Sequence, residues 1–342
     1  MSQVCMTPIT SPKAWRGETL ARETSWIVTL TDAEIADVDR ALAAAKASGL
    51  PLESIQREHF PLPALGPRLE QAVAEMYDGR GFVVLRGLPV RRYRDEDVGL
   101  IFWGFGRYMG APLYQNPQGE LLGHVFDHGR TYGNIDVRGY ETNAYLPYHT
   151  DAGDVVGLLC LRRGLEGGLS SIVSSVTVHN EILARHPEYM GLLYNGFYYI
   201  RREEALGSKG VSDRPVPVFG AKDGVVSCRY IRNQINAGAV KRDTPPTTLE
   251  KAALDFMDEQ TRRADLRLDM DLQPGDVQLC NNYTILHSRT GFRDGPERHQ
   301  QRHMLRLWLK FPRPWPLDPE FPEQLGYQRA EGPPGKPALV EA

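Results

Sequence analysis

From about Tyr114 onward the chain consists of short apolar runs, each closed by Gly, Asn or Asp, and this texture limits what it can fold into. The segments "VVGLLCLRR", "LSSIVSS", "LLYNGFYYI", "RPVPVFG" and "GVVSCRYIRNQ" all read as strands. A helical insert over residues 176–185 and a longer helix in "PTTLEKAALDFMDEQTRRADL" interrupt them. The stretch "LRLDMDLQPGDVQLCNNYTILHSR" reads as a hairpin turning at Pro274 and Gly275. In "RHMLRLWLKF" Leu305, Leu307 and Leu309 alternate with Arg306, Trp308 and Lys310, which is the period of a strand. No glycine fingerprint of a dinucleotide or P-loop site follows any strand. The expectation is a mainly β domain, a barrel or sandwich rather than a doubly wound sheet.

Helices precede this region. "TLTDAEIADVDRALAAAKASG" carries a capping box of Thr31 and Glu34. "GPRLEQAVAEMYDGR" places Leu69, Val73 and Met76 on one face and runs into the buried strand "GFVVLRG". "RDEDVGLIFWGFGRYMG" has acidic residues in its first turn, where a helix dipole favours them. The first 25 residues are polar and are expected to lie loosely on the surface. A net charge of -3 gives no field that would draw the chain to nucleic acid or an anionic membrane. No segment has the apolar length of a membrane span. Cys5, Cys160, Cys228 and Cys280 show no zinc or redox spacing, so a reducing cytoplasm is the expected compartment.

The chemistry concentrates in "NAYLPYHTDAGDVVGLLCL". His149 and Asp151 lie two apart, so in an extended chain both side chains leave one face. A second imidazole, His287 in "NNYTILHSRTGF", comes far later, so the site needs the folded sheet to assemble. Two imidazoles and one carboxylate suit a divalent iron and cover one face of an octahedron, leaving three positions open. A bare His-x-Asp also fits a loop histidine and a turn aspartate. The residues downstream of His287 add weight, because Arg289, Arg293, Arg302 and Arg306 all lie there. If Arg302 belongs to the late strand it shares a side with Arg306, and a guanidinium matches a carboxylate bidentately. Arg306 and Trp308 fit equally the outer face of a sheet.

Three features in order, "YHTD", "GGLS" and "LHSRTGF" followed by "RHMLRLW", resemble the taurine dioxygenase family of Fe(II)/2-oxoglutarate-dependent oxygenases, over about residues 81–311. The resemblance implies a double-stranded β-helix, the jelly roll of clavaminate synthase-like proteins, flanked by helices. It implies one catalytic domain over residues 26–315, between irregular segments 1–25 and 316–342. Carried over by residue, it makes His149, Asp151 and His287 the iron ligands. Arg302 becomes the clamp on the distal carboxylate of 2-oxoglutarate. Ser170 of "GGLS" stands where relatives usually have a threonine and keeps its hydroxyl. Arg306 matches a second arginine that in some relatives meets an anionic substrate group.

The implied activity uses Fe(II), 2-oxoglutarate and O2 to oxidise an unactivated C–H bond, by hydroxylation, desaturation or cyclisation, with release of succinate and CO2. Asn143, Tyr145 and Tyr148 are candidates to line the substrate pocket. Tyr198 and Tyr199 suit an aromatic wall or plain core, and Arg229, Arg232 and Asn233 a site mouth or a loop tie. The substrate class is a small polar metabolite or natural-product intermediate, and the composition leaves a homo-oligomer open. Two other readings stand beside this one: a cupin-type metal enzyme without 2-oxoglutarate, and a jelly-roll binding protein without turnover.

Overall fold

Alternation along the strands builds the molecule in layers. The computed structural model describes residues 3–116, 118–131, 137–200, 210–324, 326–329 and 339–341. The larger sheet runs β1 (Ile27–Thr29), β2 (Phe82–Arg86), β12 (Val277–Asn281), β6 (Val155–Arg162), β15 (His303–Lys310) and β3 (Ala111–Pro112), and β4 (Leu122–Val125) also pairs with β15. The smaller sheet runs β11 (Arg267–Met270), β8 (Ser170–Ser174), β13 (Ile285–Arg289) and β5 (Leu146–His149). Two-stranded ribbons pair β7 (Glu166–Gly167) with β14 (Phe292–Arg293), and β9 (Phe219–Lys222) with β10 (Val225–Cys228). A last ribbon joins β16 (Tyr327–Arg329) to β17 (Leu339–Glu341). The two main sheets face each other as a double-stranded β-helix.

Three apolar layers result. Leu305, Leu307 and Leu309 leave one face of β15 and pack with Leu159 and Leu279 of neighbouring strands. Against that face lie α2 (Asp32–Ser48), α3 (Gly66–Tyr77) and α4 (Asp95–Met109), through Val38, Leu69 and Phe102. Met304 and Trp308 leave the other face and meet Ile172, Ile285 and Cys280 between the sheets. On the far side of the smaller sheet, Val173 and Leu286 pack under α5 (Ser175–Arg185), α6 (Met190–Asn195) and α8 (Thr248–Arg262). The expected Thr31–Glu34 capping box is present at the start of α2.

Three local expectations need correction. The segment around Pro274-Gly275 turns tightly, Gly275 having φ +94°, but it is not a hairpin. Strand β11 pairs with β8, and β12 with β2 and β6, so the turn carries the chain from one sheet to the other. "LLYNGFYYI" begins as α6, and "RNQINAG" belongs to α7 (Arg232–Lys241). In the first, tertiary packing overrides a short apolar run that fits either period; the second is polar and buries only Ile235 and Gly238.

The N-terminal segment is also docked rather than loose. Trp15 is buried and its indole donates to the Arg80 carbonyl at 2.9 Å. The single turn α1 (Gly17–Leu20) approaches β11 so closely that a Cβ on Gly17 would sit 1.7 Å from the Arg267 carbonyl oxygen. In the C-terminal segment, Phe321 joins the core and the Gly326 amide donates to the Ala152 carbonyl at 2.6 Å.

Gly17→Ala should therefore undock the segment. A loss of about 1–3 kcal/mol in denaturant unfolding is expected, with new protease cleavage before residue 25. A variant as stable and as resistant as the wild type would show that the close approach is not needed. His179 gives a second test. It lies on the buried face of α5, and burial pushes its pKa down from 6.5 to about 4. The unfolded chain therefore takes up this proton first, and stability falls as pH drops from 6.5 towards 4. His179→Leu should make that acid limb shallower, by at most roughly 3 kcal/mol, in unfolding measured as a function of pH.

Candidate metal centre

The antiparallel register of β13 and β5 sets His287 directly opposite His149. Asp151 lies just beyond the end of β5, and its loop is tied from three sides. The Asp151 amide donates to Asn282 Oδ1 at 3.1 Å, and Asn282 Nδ2 donates to the Gly153 carbonyl at 2.7 Å. The Thr150 amide donates to the Tyr230 carbonyl at 3.0 Å. Among the described residues, one set of metal-ligating side chains gathers: single donor atoms of His149, Asp151 and His287, all within 4.8 Å of one another.

The protonation pattern suits a cation. His149 Nδ1 sits 2.8 Å from the Pro147 carbonyl, so it carries the proton and Nε2 presents its lone pair. That Nε2 lies 3.9 Å from Asp151 Oδ1, and His287 Nε2 lies 3.8 Å from Asp151 Oδ2. Burial pushes both imidazoles down, His287 to about 3, assisted there by the neighbouring His149. Burial alone would raise Asp151, but Arg306, with the Trp308 N–H, holds it below the ordinary carboxylate value. The three are thus neutral imidazoles and a carboxylate, the forms a metal binds. The chemistry of this donor set, nitrogen and oxygen without thiolate, fits Fe(II).

The centre opens into a cavity of about 660 Å³. Alternation places Ser170, Ile172, His287 and Arg289 on one face, because Arg289 pairs with Ser170 and His287 with Ile172. Arg302 enters from the opposite sheet, just before β15, where the register shifts between His303 and Met304. It lines the cavity with Arg306, so the two do share a side, and that side is the inner one. Its Nη1 is buried without a hydrogen-bond partner among the described residues. Burial lowers its pKa to about 10. A buried guanidinium with an unused donor is costly, and an anion entering the cavity would relieve it. These residues therefore fit a carboxylate co-substrate. The Ser170 hydroxyl donates to Gln278 Oε1 at 2.9 Å and also borders the cavity.

Of the three candidate pocket residues, Asn143 and Tyr145 lie outside the cavity lining. Asn143 is exposed and absent from the lining, and its carbonyl accepts the Phe292 amide at 3.0 Å. Tyr145 is exposed and also outside the lining. Tyr148 borders the cavity, but its ring belongs to the core behind the smaller sheet and its hydroxyl meets Ser171 at 2.5 Å. Tyr148 alternates with His149 on β5 and so turns from the site, while Asn143 and Tyr145 lie before the strand begins. Tyr199 is core, its hydroxyl donating to the Arg229 carbonyl at 3.1 Å, and Tyr198 lies under the Arg242 guanidinium. Arg232 and Asn233 do line the cavity, on α7.

Sequence reasoning missed Arg138, Tyr140, Asn236 and Lys241 in the cavity wall, and Gln115 and Asn282, which bond to Arg306 and to the Asp151 amide. A buried amide in an otherwise apolar run, as at Asn282, is the signal that marks such a support. Arg289, noted only as one of several arginines, also reaches the cavity wall and donates to the Thr142 carbonyl at 2.9 Å and to that of Ala144.

Comparison with known proteins agrees with this geometry. Residues 46–308 match the family described as "Taurine catabolism dioxygenase TauD, TfdA family". FR-33289 synthase of Streptomyces rubellomurinus is 30% identical over 313 residues, covering 90% of this chain and 92% of that protein. A taurine hydroxylase-like protein of Stachybotrys chartarum is 30% identical over 308 residues, covering 86% and 77%. Among solved structures, asparagine oxygenase in complex with Fe(II), a hydroxyasparagine and succinate superposes with a TM-score of 0.64 at 18% identity, covering 83% and 93%. The non-heme iron oxygenase OrfP in complex with Fe and alpha-ketoglutaric acid gives 0.61 at 16%, covering 83% and 94%. The chain belongs to the TauD/TfdA family and is a non-haem dioxygenase dependent on Fe(II) and 2-oxoglutarate.

Proposed function

We propose that His149, Asp151 and His287 hold the iron, that Arg302 with Ser170 seats the distal carboxylate of 2-oxoglutarate, and that the enzyme hydroxylates a small polar compound. The observation that carries this is the buried, unpartnered Nη1 of Arg302 in the same cavity as the three ligands. A cupin-type enzyme without 2-oxoglutarate would have no use for that guanidinium, and a binding protein would have no use for the triad.

Bound iron, 2-oxoglutarate and O2 supply the oxidation itself, so the protein's residues bind, orient and exclude water. His149 and His287 stay neutral, and Asp151 stays charged, without any change on binding a cation. Arg302 fixes one end of the co-substrate by a charge-assisted contact in a low-dielectric site. Rotation of the Ser170 hydroxyl moves its hydrogen from Gln278 Oε1 to the same carboxylate. Leu158, Leu272 and Met304 wall the inner cavity with apolar surface, which keeps water from the co-substrate.

The outer wall carries Arg138, Tyr140, Asn233, Asn236 and Lys241. Its polarity favours a polar metabolite, and Asp151 is the one carboxylate among the described lining residues. Asn143 and Tyr145 are not part of this assignment. Four free thiols fit a reducing compartment such as the cytoplasm. Among the described residues no helix is long and apolar enough to cross a membrane.

The wild type should release succinate from 2-oxoglutarate in an Fe(II)- and O2-dependent manner. The H149A/D151A variant should lose bound iron and that turnover together. Iron-dependent succinate release by this double variant would refute the triad. Arg302→Met separates binding from folding. It should weaken 2-oxoglutarate binding roughly a hundredfold, the loss of a buried charge pair, in anaerobic titrations. The free variant should nonetheless unfold at a higher temperature than the wild type, because a desolvated, unpaired charge is gone. Unchanged 2-oxoglutarate affinity would remove Arg302 from the co-substrate seat.

A further inference from the structure

We propose that Gly168 and Phe292 are positioning residues for Arg302: together they fix its side chain so that the guanidinium stands ready at the end of the co-substrate seat with a donor unspent. This rests on the assignment of Arg302 to the distal carboxylate of 2-oxoglutarate.

The glycines of "GGLS" have separate tasks. Gly167, on β7, lies so close to β14 that a Cβ would sit 2.2 Å from the Gly291 carbonyl oxygen. Gly168 has φ +72°, a conformation that strains any residue with a side chain. A Cβ on Gly168 would sit 2.9 Å from Arg302 Nε and 3.0 Å from Arg302 Cδ. The stem of the arginine therefore occupies the space that a side chain at this position would fill. The backbone here cannot retreat, because the Gly168 amide donates to the Gly291 carbonyl at 3.1 Å.

Phe292 supplies a second wall. It is buried, it pairs with Gly167 across the ribbon, and its amide donates to the Asn143 carbonyl. Its ring centre lies 5.3 Å from the Arg302 guanidinium and 4.7 Å from that of Arg289. An aromatic face attracts a cation without accepting one of its in-plane N–H groups. At the other end of the residue, the Arg302 amide donates to Asp294 Oδ1 at 2.8 Å. Backbone, stem and guanidinium are thus each held, yet Nη1 keeps no hydrogen-bond partner among the described residues. A carboxylate neighbour would hold the guanidinium equally well, but it would compete with the co-substrate. A glycine and a phenyl ring hold it without competing, and a donor ordered in advance loses less side-chain freedom when its anion arrives.

The test uses full-length protein loaded with Mn(II), titrated calorimetrically with 2-oxoglutarate in the absence of substrate. An arginine stem can give way, so Gly168→Ala should move Arg302 and leave the ribbon folded. It should bind 2-oxoglutarate about tenfold more weakly, less than the loss of the whole guanidinium. 2-Oxobutyrate, which lacks the distal carboxylate, should bind the variant and the wild type alike. In an Arg302→Met background Gly168→Ala should have no further effect, because the two residues act through one contact. Gly49, at φ +66° with no atom within 4 Å of an added Cβ, serves as the control for backbone strain. Gly49→Ala should lower the thermal midpoint and leave 2-oxoglutarate affinity unchanged. Should Gly168→Ala fail to fold, Phe292→Leu carries the same test, with weaker binding that vanishes in the Arg302→Met background. Wild-type 2-oxoglutarate affinity in folded Gly168→Ala, or in Phe292→Leu where that variant stands in, would overturn the proposal. So would an equal loss for 2-oxobutyrate, in the Arg302→Met background or in Gly49→Ala. Wild-type affinity in Arg302→Met alone would instead remove the seat, and this support with it.

Discussion

A carboxylate buried between two imidazoles is the constraint on which this structure turns. Left alone, Asp151 would prefer its proton to its charge in such surroundings. Arg306 and the Trp308 N–H reverse that preference. The groups around it arrive from three strands: His149 at the end of β5, His287 on β13, Arg306 and Trp308 on β15. The sheets therefore have to be in register before the centre exists at all. The backbone ties around Asp151, through Asn282 and Thr150, hold its loop where that register requires.

The same logic explains the asymmetry between the two sheets. The larger sheet has an apolar outer face covered by α2, α3 and α4, and it carries Arg306 inward with Arg302 just ahead of it. The smaller sheet carries the histidines and Ser170 inward and rests on α5, α6 and α8. Arg302 and Arg306 thus face the ligands across the gap between sheets, while Arg289 shares β13 with His287. Arg302, before β15, and Ser170, on β8, face the cavity from opposite sides, and this makes room for an elongated dicarboxylate between them.

Much of this was legible in the sequence, because period-two alternation is a local property. The strand of β15, the capping box of α2 and the shared face of His149 and Asp151 all stem from neighbours in the chain. The features that were not legible depend on partners far away. Pro274 and Gly275 mark a turn in either case, but nothing local says whether the next strand returns to its neighbour or crosses to the other sheet. Tyr145 and Tyr148 have the residue types of a pocket, yet the parity of β5 is fixed by His149 facing His287, which leaves Tyr148 on the other face. Gln115 looks like any glutamine in a polar stretch. Its role is set by β15, which comes much later in the chain.

Strand β15 serves two masters by parity, the leucines at 305, 307 and 309 against the helices, and Met304, Arg306 and Trp308 against the cavity. A substitution at one set leaves the other in place, so chemistry and packing can change separately along a single strand. A one-residue insertion has no such freedom. It would turn leucines towards the metal and arginine towards the apolar helices at one stroke. Diversification of this enzyme along β15 is thus confined to exchange of side chains, and variation in length is left to the loops at the mouth.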